Sequence, residues 1–230
     1  MAEVKQARRT TDSEAVVDRA LNFWDKYGRI IMIASAAVII IGGGYLIYKN
    51  FIKAPQERKA MEAMFKAEEY FRMDSLRLAL NGDGMNPGFE RIISQNGSTK
   101  AGNLARFYAG SAHLKLGDYN KAVNYLKDFE TEAKQIQARA YKLLADAYAE
   151  QGKHQDALTN YKKAAREFEE DEVNSSEALF LAAYLADRVL NKKNDAVELY
   201  KELKRKYPQT QFGFEAEKYL AQNGVYNVED

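Results

Sequence analysis

The side chains best suited to chemistry in this chain are two histidines, His113 and His154, and the acidic run Glu167-Phe168-Glu169-Glu170-Asp171-Glu172. A histidine titrates near neutrality and serves acid–base or metal chemistry, and a run of carboxylates can hold a hard cation. Both lack the partners such chemistry needs. There is no cysteine, which removes disulfides, thiolate metal sites and a thiol nucleophile. No glycine-rich phosphate loop, HExxH pair, GxSxG elbow or paired-carboxylate motif occurs. The acidic run reads as a solvated loop and the histidines as packing residues. The expectation is a non-enzyme that uses no cofactor and no metal. Past Lys49 the chain carries 27 Lys/Arg against 28 Asp/Glu, so it lacks the basic excess of a nucleic-acid binder. The fifteen tyrosines read as core, not as a stacking platform.

The element that organises the chain is Ile30 to Tyr48, nineteen residues without a charge. As an α-helix it is about 28 Å long, close to the ~30 Å hydrocarbon core of a bilayer. Arg29 and Lys49 bound it, and Trp24, Tyr27, Tyr45 and Tyr48 lie where amphipathic rings favour the headgroup level. These four are the expected membrane-interface residues. Cleavage after Ala34-Ser35-Ala36 would leave only Ile30 to Ile33 as an apolar region, so a retained signal anchor is expected. Arg19, Lys26 and Arg29 on one side, and Lys49, Lys53, Arg58 and Lys59 on the other, leave the orientation undecided.

Around this span the chain divides into a tail over 1–29, the span over 30–48, a stalk helix with an atypical first hairpin over 49–97, and a repeat region over 98–230. In the tail, Val17, Leu21, Trp24 and Gly28 recur at helical spacing over 13–28, with Thr11, Asp12 and Ser13 as candidate N-caps. That segment is either a helix on the membrane surface or a weakly ordered tail. Gly42-Gly43-Gly44 permits close approach by another transmembrane helix, or is simply tolerated in lipid. One long helix is expected from Gln56 to Asn81, then a short one opened by Asn86-Pro87 and running through Gln95.

From residue 98 to 221 the chain repeats itself. Gly117 to Gly152 is 35 residues, and Ala122 to Ala157 is 35 again. A third copy puts Asn191 in the glycine place and Ala196 in the alanine place, at an interval of 39 that the acidic run lengthens. Such a unit is a helical hairpin that cannot bury its apolar face alone, so neighbours stack. Small residues stand where the helices cross: Gly110, Ala145 and, as a departure, Tyr184. Gly152→Val and Ala157→Phe are expected to jam that crossing. Thr210 to Gln222 is the expected closing helix.

These residues, with Tyr141-x-x-Leu144-Ala145-x-x-Tyr148 as the best stretch, resemble the tetratricopeptide repeat family. The resemblance implies an all-α chain: one N-terminal transmembrane helix followed by an α-solenoid of such hairpins. His113 and His154 then stand where these repeats hold aromatics. The first helices would form a partner-binding groove from Phe107, Ser111 and Leu114 in the first copy. The second copy would add Arg139, Lys142, Asp146 and Glu150, and the third Leu181, Leu185 and Arg188. Alternatively, Phe107, Leu114, Leu181 and Leu185 pack against neighbouring helices. The Lys/Asn clamp that some members use for a chaperone's C-terminal carboxylate has no match here.

Tail, anchor, stalk and hairpins together, with Gly88-Phe89-Glu90-Arg91-Ile92-Ile93 and Ser98-Thr99-Lys100-Ala101-Gly102-Asn103-Leu104-Ala105, resemble the ancillary subunits of the bacterial Sec translocon, the YfgM-like family. That resemblance implies a single-pass protein of the bacterial inner membrane, with its N-terminus cytoplasmic and its body periplasmic. Its partners would be proteins: translocon subunits, periplasmic chaperones or nascent secreted chains, with no nucleic acid and no small-molecule substrate. The alternative is an assembly adaptor of another envelope complex for secretion, respiration or division.

Overall fold

Uninterrupted helix-forming sequence makes the first element long. In this computed structural model, which describes residues 2–226 with side chains from Val16 onward, α1 runs over Ala2–Ile47 and passes into a π-helical turn at Tyr48–Lys53. No boundary falls at Ser13: the backbone of Thr11, Asp12 and Ser13 lies within α1, and their side chains lie outside the described residues, as do Met1 and the last four positions of the repeat region. The apolar run occupies the end of α1, and none of it is buried. Val38, Ile39, Ile40 and Ile41 are each 70–73% exposed. By length and composition this helix can cross a membrane.

The described residues fall into two compact units, divided after Pro55. Within the second, α2 (Ala54–Arg72), α3 (Leu76–Asn81) and α4 (Phe89–Asn96) precede three long hairpins. These are α5 (Lys100–Lys115) with α6 (Tyr119–Lys127), α7 (Lys134–Glu150) with α8 (His154–Glu167), and α9 (Glu172–Tyr184) with α10 (Lys193–Lys206). α9 ends in a π turn at Leu185–Val189, and α11 (Gln211–Gln222) closes the stack. Among the described residues there is no strand, only an isolated bridge between Gly82 and Pro87. The all-α solenoid expected from the sequence is observed.

Each hairpin turns through a left-handed residue. Gly117 has φ +79° and Gly152 φ +70°, conformations glycine adopts without a Cβ penalty. Both turns are closed by the same pair of backbone bonds, Gly117 N–H to Leu114 O with Asp118 N–H to His113 O, and Gly152 N–H to Ala149 O with Lys153 N–H to Tyr148 O. Asn191 stands in for glycine at φ +51°. A fourth turn has the same form at Asp74, φ +54°, where Asp74 and Ser75 N–H reach Phe71 O and Tyr70 O. It breaks the single 56–81 helix expected from the sequence into α2 and α3.

That break reveals the atypical hairpin. Ala67 lies seven residues before its turn and Ala79 five after, the spacing of Gly110 and Ala122 around Gly117. Ala67 and Ala79 are buried, like Ala122, Ala145, Ala157 and Ala196. Its second helix is interrupted over 82–88, where the Asp83 carboxylate accepts from the Met85 and Asn86 N–H groups, Asn86 Nδ2 and the Tyr70 hydroxyl. These bonds hold the Asp83 carboxyl far below its usual range. The loop keeps Pro87 outside the helix, so α4 starts at Phe89 rather than at Pro87.

Candidate protein-binding surface

The first helices of the hairpins are α2, α5, α7 and α9, and side-chain caps open two of them, α5 and α9. Thr99, Asp171 and Thr210 accept the N–H three residues on, opening α5, α9 and α11. Asp118 does the same for α6. Small residues then set the depth at which helices cross. A Cβ on Gly110 would lie 2.5 Å from Leu126 Cγ, so α5 and α6 meet there only because position 110 has no side chain.

In the first copy, Phe107 and Leu114 are half-buried and pack on Ala122, Val123, Leu126, Leu144 and Ala147, while Ser111 is buried. The Phe107 ring lies 5.5 Å from Phe129. Phe107 and Leu114 thus fill the seam where α5 meets α6 and α7. The second copy is polar and accessible. Arg139 and Glu150 are exposed, and Lys142 bridges Asp146 at 3.6 Å and Glu177 of α9 at 3.3 Å. Asp146 also accepts from the Tyr161 hydroxyl at 2.6 Å. Burial first, then that bond, push the Tyr161 phenol well above its usual value. A small cavity beside this row is floored by Ala138, Ala164, Ala178 and Phe168, with Arg139 and Lys142 among its lining residues.

The third copy departs from the sequence reading. Leu185 is only 8% exposed and belongs to the core, Leu181 packs against that core, and Arg188 is exposed. The cause is the π turn, which adds one residue to the helix and widens its exit, so that Lys192 N–H reaches Ala186 O. The crossing residue is therefore Ala183, fully buried and eight positions before Asn191, and Tyr184 turns outward at 40% exposure. Counted from Ala183, the register that gave Phe107, Ser111 and Leu114 gives Phe180, Tyr184 and Asp187. The interval of 39 also divides differently: three of the extra residues lie before α9, where α8 outruns α6, and the fourth lies in the π turn. The sequence signal for this shift was the lengthened interval itself.

The remaining candidates fall in mixed surroundings. His113, 5% exposed, sits with Nε2 3.0 Å from Glu90 Oε1 and Nδ1 3.6 Å from Asp118 Oδ2, its ring stacked on Tyr125. Burial raises the Glu90 carboxyl, but hydrogen bonds from His113 and Lys121 outweigh it and hold the group below its usual value. His154 is half-buried at the start of α8, its Nδ1 enclosed without a partner. In the acidic run, Glu167 ends α8, Asp171 caps α9, and Glu169 pairs with Lys206 at 2.6 Å. In the first unit, Trp24, Tyr27, Tyr45 and Tyr48 are all exposed. The Trp24 indole covers Gly28, where an added Cβ would meet it at 3.3 Å.

Comparison with known proteins agrees with this architecture. A family model described as a tetratricopeptide repeat-like domain matches residues 21–168, and one described as a tetratricopeptide repeat matches residues 177–210. The first begins ahead of the apolar run, which therefore lies inside the matched region. The second takes in most of α9 and all of α10. No curated protein matches the chain. Such repeats mark a scaffold for protein–protein interaction, and the first match alone covers more than half of the chain. On that ground the chain belongs to the tetratricopeptide repeat-like family.

Proposed function

We propose that this protein is a membrane-anchored tetratricopeptide scaffold, an ancillary subunit of the Sec translocon whose first-helix face receives chaperones or emerging secreted chains. The observation that carries the reading is the pairing of two surfaces. One is the end of α1, whose isoleucines stand exposed along an uncharged run and call for lipid or another membrane helix. The other is the α7–α9 face, where Arg139, Glu150 and Tyr184 are exposed around the Lys142–Glu177 pair. In this reading the protein crosses the bacterial inner membrane once, tail cytoplasmic and repeat body periplasmic. Trp24, Tyr27, Tyr45 and Tyr48 lie at the interfaces. It holds proteins and transforms no substrate.

Photo-crosslinkers placed singly at Arg139, Glu177 and Tyr184, in intact cells, test this. The reading expects adducts to translocon subunits, periplasmic chaperones or secreted precursors, with protease reaching the body in spheroplasts. Adducts confined to a respiratory or division complex would overturn the translocon assignment. A body protected in spheroplasts would overturn the orientation.

A further inference from the structure

The π turn of α9 gathers charged and aromatic groups around Tyr184, most of which the scaffold reading does not use. Asp187 lies within it, its side chain only 4% exposed. Beside it Tyr200 is fully buried, and its hydroxyl has no hydrogen-bond partner. Burial, then the charge of Asp187, push the Tyr200 phenol far above its ordinary value. Tyr219 stacks on Tyr200 with centroids 5.2 Å apart and meets Tyr184 edge-on at 5.9 Å.

One side chain already samples this site. The Arg188 guanidinium lies 5.5 Å from the Tyr219 centroid, its Nε is 3.2 Å from Asp187 Oδ2, and its Nη2 donates to Gln222. Consecutive residues on a regular helix point roughly 100° apart and do not face each other. The Asp187–Arg188 pairing is therefore a product of this turn. A cation over an aromatic face, with a desolvated carboxylate at its edge, is the arrangement that recognises guanidinium and ammonium groups. Arg188 is nevertheless 44% exposed and free to swing into solvent.

We infer that Asp187, Tyr184 and Tyr219 form a subsite for a basic side chain of an extended polypeptide lying along the first-helix face, and that Arg188 occupies it until the partner arrives. The inference rests on the scaffold reading. An incoming Arg or Lys takes the place of Arg188 over Tyr219 and against Asp187, and the displaced guanidinium is rehydrated.

The test uses the full chain in lipid nanodiscs and fluorescein-labelled twelve-residue peptides of Gly, Ser and Leu with one central Arg, or with Leu in its place. The Arg peptide is expected to bind about tenfold tighter than its Leu counterpart, a gap within the range of cation–aromatic contacts. Asp187→Asn removes that preference, whereas Arg188→Ala tightens the Arg peptide several-fold because the occupant is gone. An Arg188→Ala chain that binds the Arg peptide no better, or worse, overturns the placeholder role even where Asp187→Asn fails to fold. Equal binding of the two peptides overturns the basic subsite and leaves the scaffold reading standing; binding of neither overturns both.

Discussion

Glu57 on α2 reaches across forty-four residues of chain to accept the Ala101 N–H at 2.8 Å, and its other carboxylate oxygen accepts the Lys100 N–H at 2.8 Å. These are the first two amides of α5, and Thr99 takes the third, that of Gly102. A helix N-terminus leaves such donors without an internal partner and favours a negative charge nearby. One carboxylate thus ties the atypical hairpin to the first regular one. Glu57→Ala is expected to cost about 1 kcal/mol, a drop of roughly 2–4 °C in melting temperature. Hydrogen exchange should quicken at Lys100 and Ala101. Unchanged protection there would mean that Glu57 is not the cap.

The glycines of the repeat do two different jobs, and substitution separates them. At Gly110 the obstacle is Leu126, so Gly110→Ala overpacks the crossing at about 1–3 kcal/mol. At Gly152 nothing lies within 4 Å, and the expectation that valine jams a crossing there is corrected: the cost comes from the left-handed backbone, at roughly 1–2 kcal/mol. Asn is tolerated in that conformation, as at Asn191. Gly152→Asn should therefore be milder than Gly152→Ala in denaturant titrations, while Gly110→Asn should be worse than Gly110→Ala. The opposite order at either site would contradict the assignment.

The register shift in the third repeat has its own signature. Ala183→Leu enlarges a fully buried crossing residue and should cost about 1–3 kcal/mol. Tyr184→Ala trims an exposed ring that stacks on Phe180 at 6.2 Å and meets Tyr219 edge-on, and should cost less than Ala183→Leu, about 1 kcal/mol. Chemical denaturation of the two variants reads the difference, and a larger loss at Tyr184 would restore the unshifted register.

Period and small-residue spacing made the hairpins legible in the sequence, because each copy needs the same turn and the same crossing. The Asp74 turn escaped because its helix-forming flanks look continuous and aspartate there imitates glycine. The same spacing, Ala67 and Ala79 around Asp74, was in view without a glycine to mark it. The polar row Arg139, Lys142, Asp146 and Glu150 lies along α7, a regular helix on which an unbroken count keeps its register. Leu181, Leu185 and Arg188 were displaced by one position, because an unbroken count cannot register a widened helical turn. Contacts between distant elements, such as Glu57 with α5 or His113 with Glu90, leave no local pattern to read.

Acid should loosen the stack through two carboxylates. At Glu202, as at Glu90, burial raises the carboxyl, but here hydrogen bonds from Arg166 and Lys206 prevail and lower it overall. A carboxyl depressed in the folded state stabilises above its unfolded pKa, near ~4.3, and that contribution disappears as pH falls through the lower folded value. The stability gap between wild type and Glu202→Gln, whose partners stay charged throughout, should stay level from about pH 7 to 5 and close below about pH 4. Denaturant titrations across that range check it; a gap that widens in acid would contradict the ion pairs.

The reading of this protein as a tethered scaffold turns on whether α1 sits in a bilayer, and its one tryptophan reports on that directly. Trp24 lies six residues before the uncharged run, at the expected headgroup level. The measurement is quenching of its fluorescence in the full chain reconstituted into phospholipid vesicles brominated at successive depths of the acyl chain. The account predicts strong quenching that is greatest for bromines nearest the headgroups and weakens toward the bilayer centre. A Trp24 that responds to aqueous iodide and to none of the brominated lipids would contradict it.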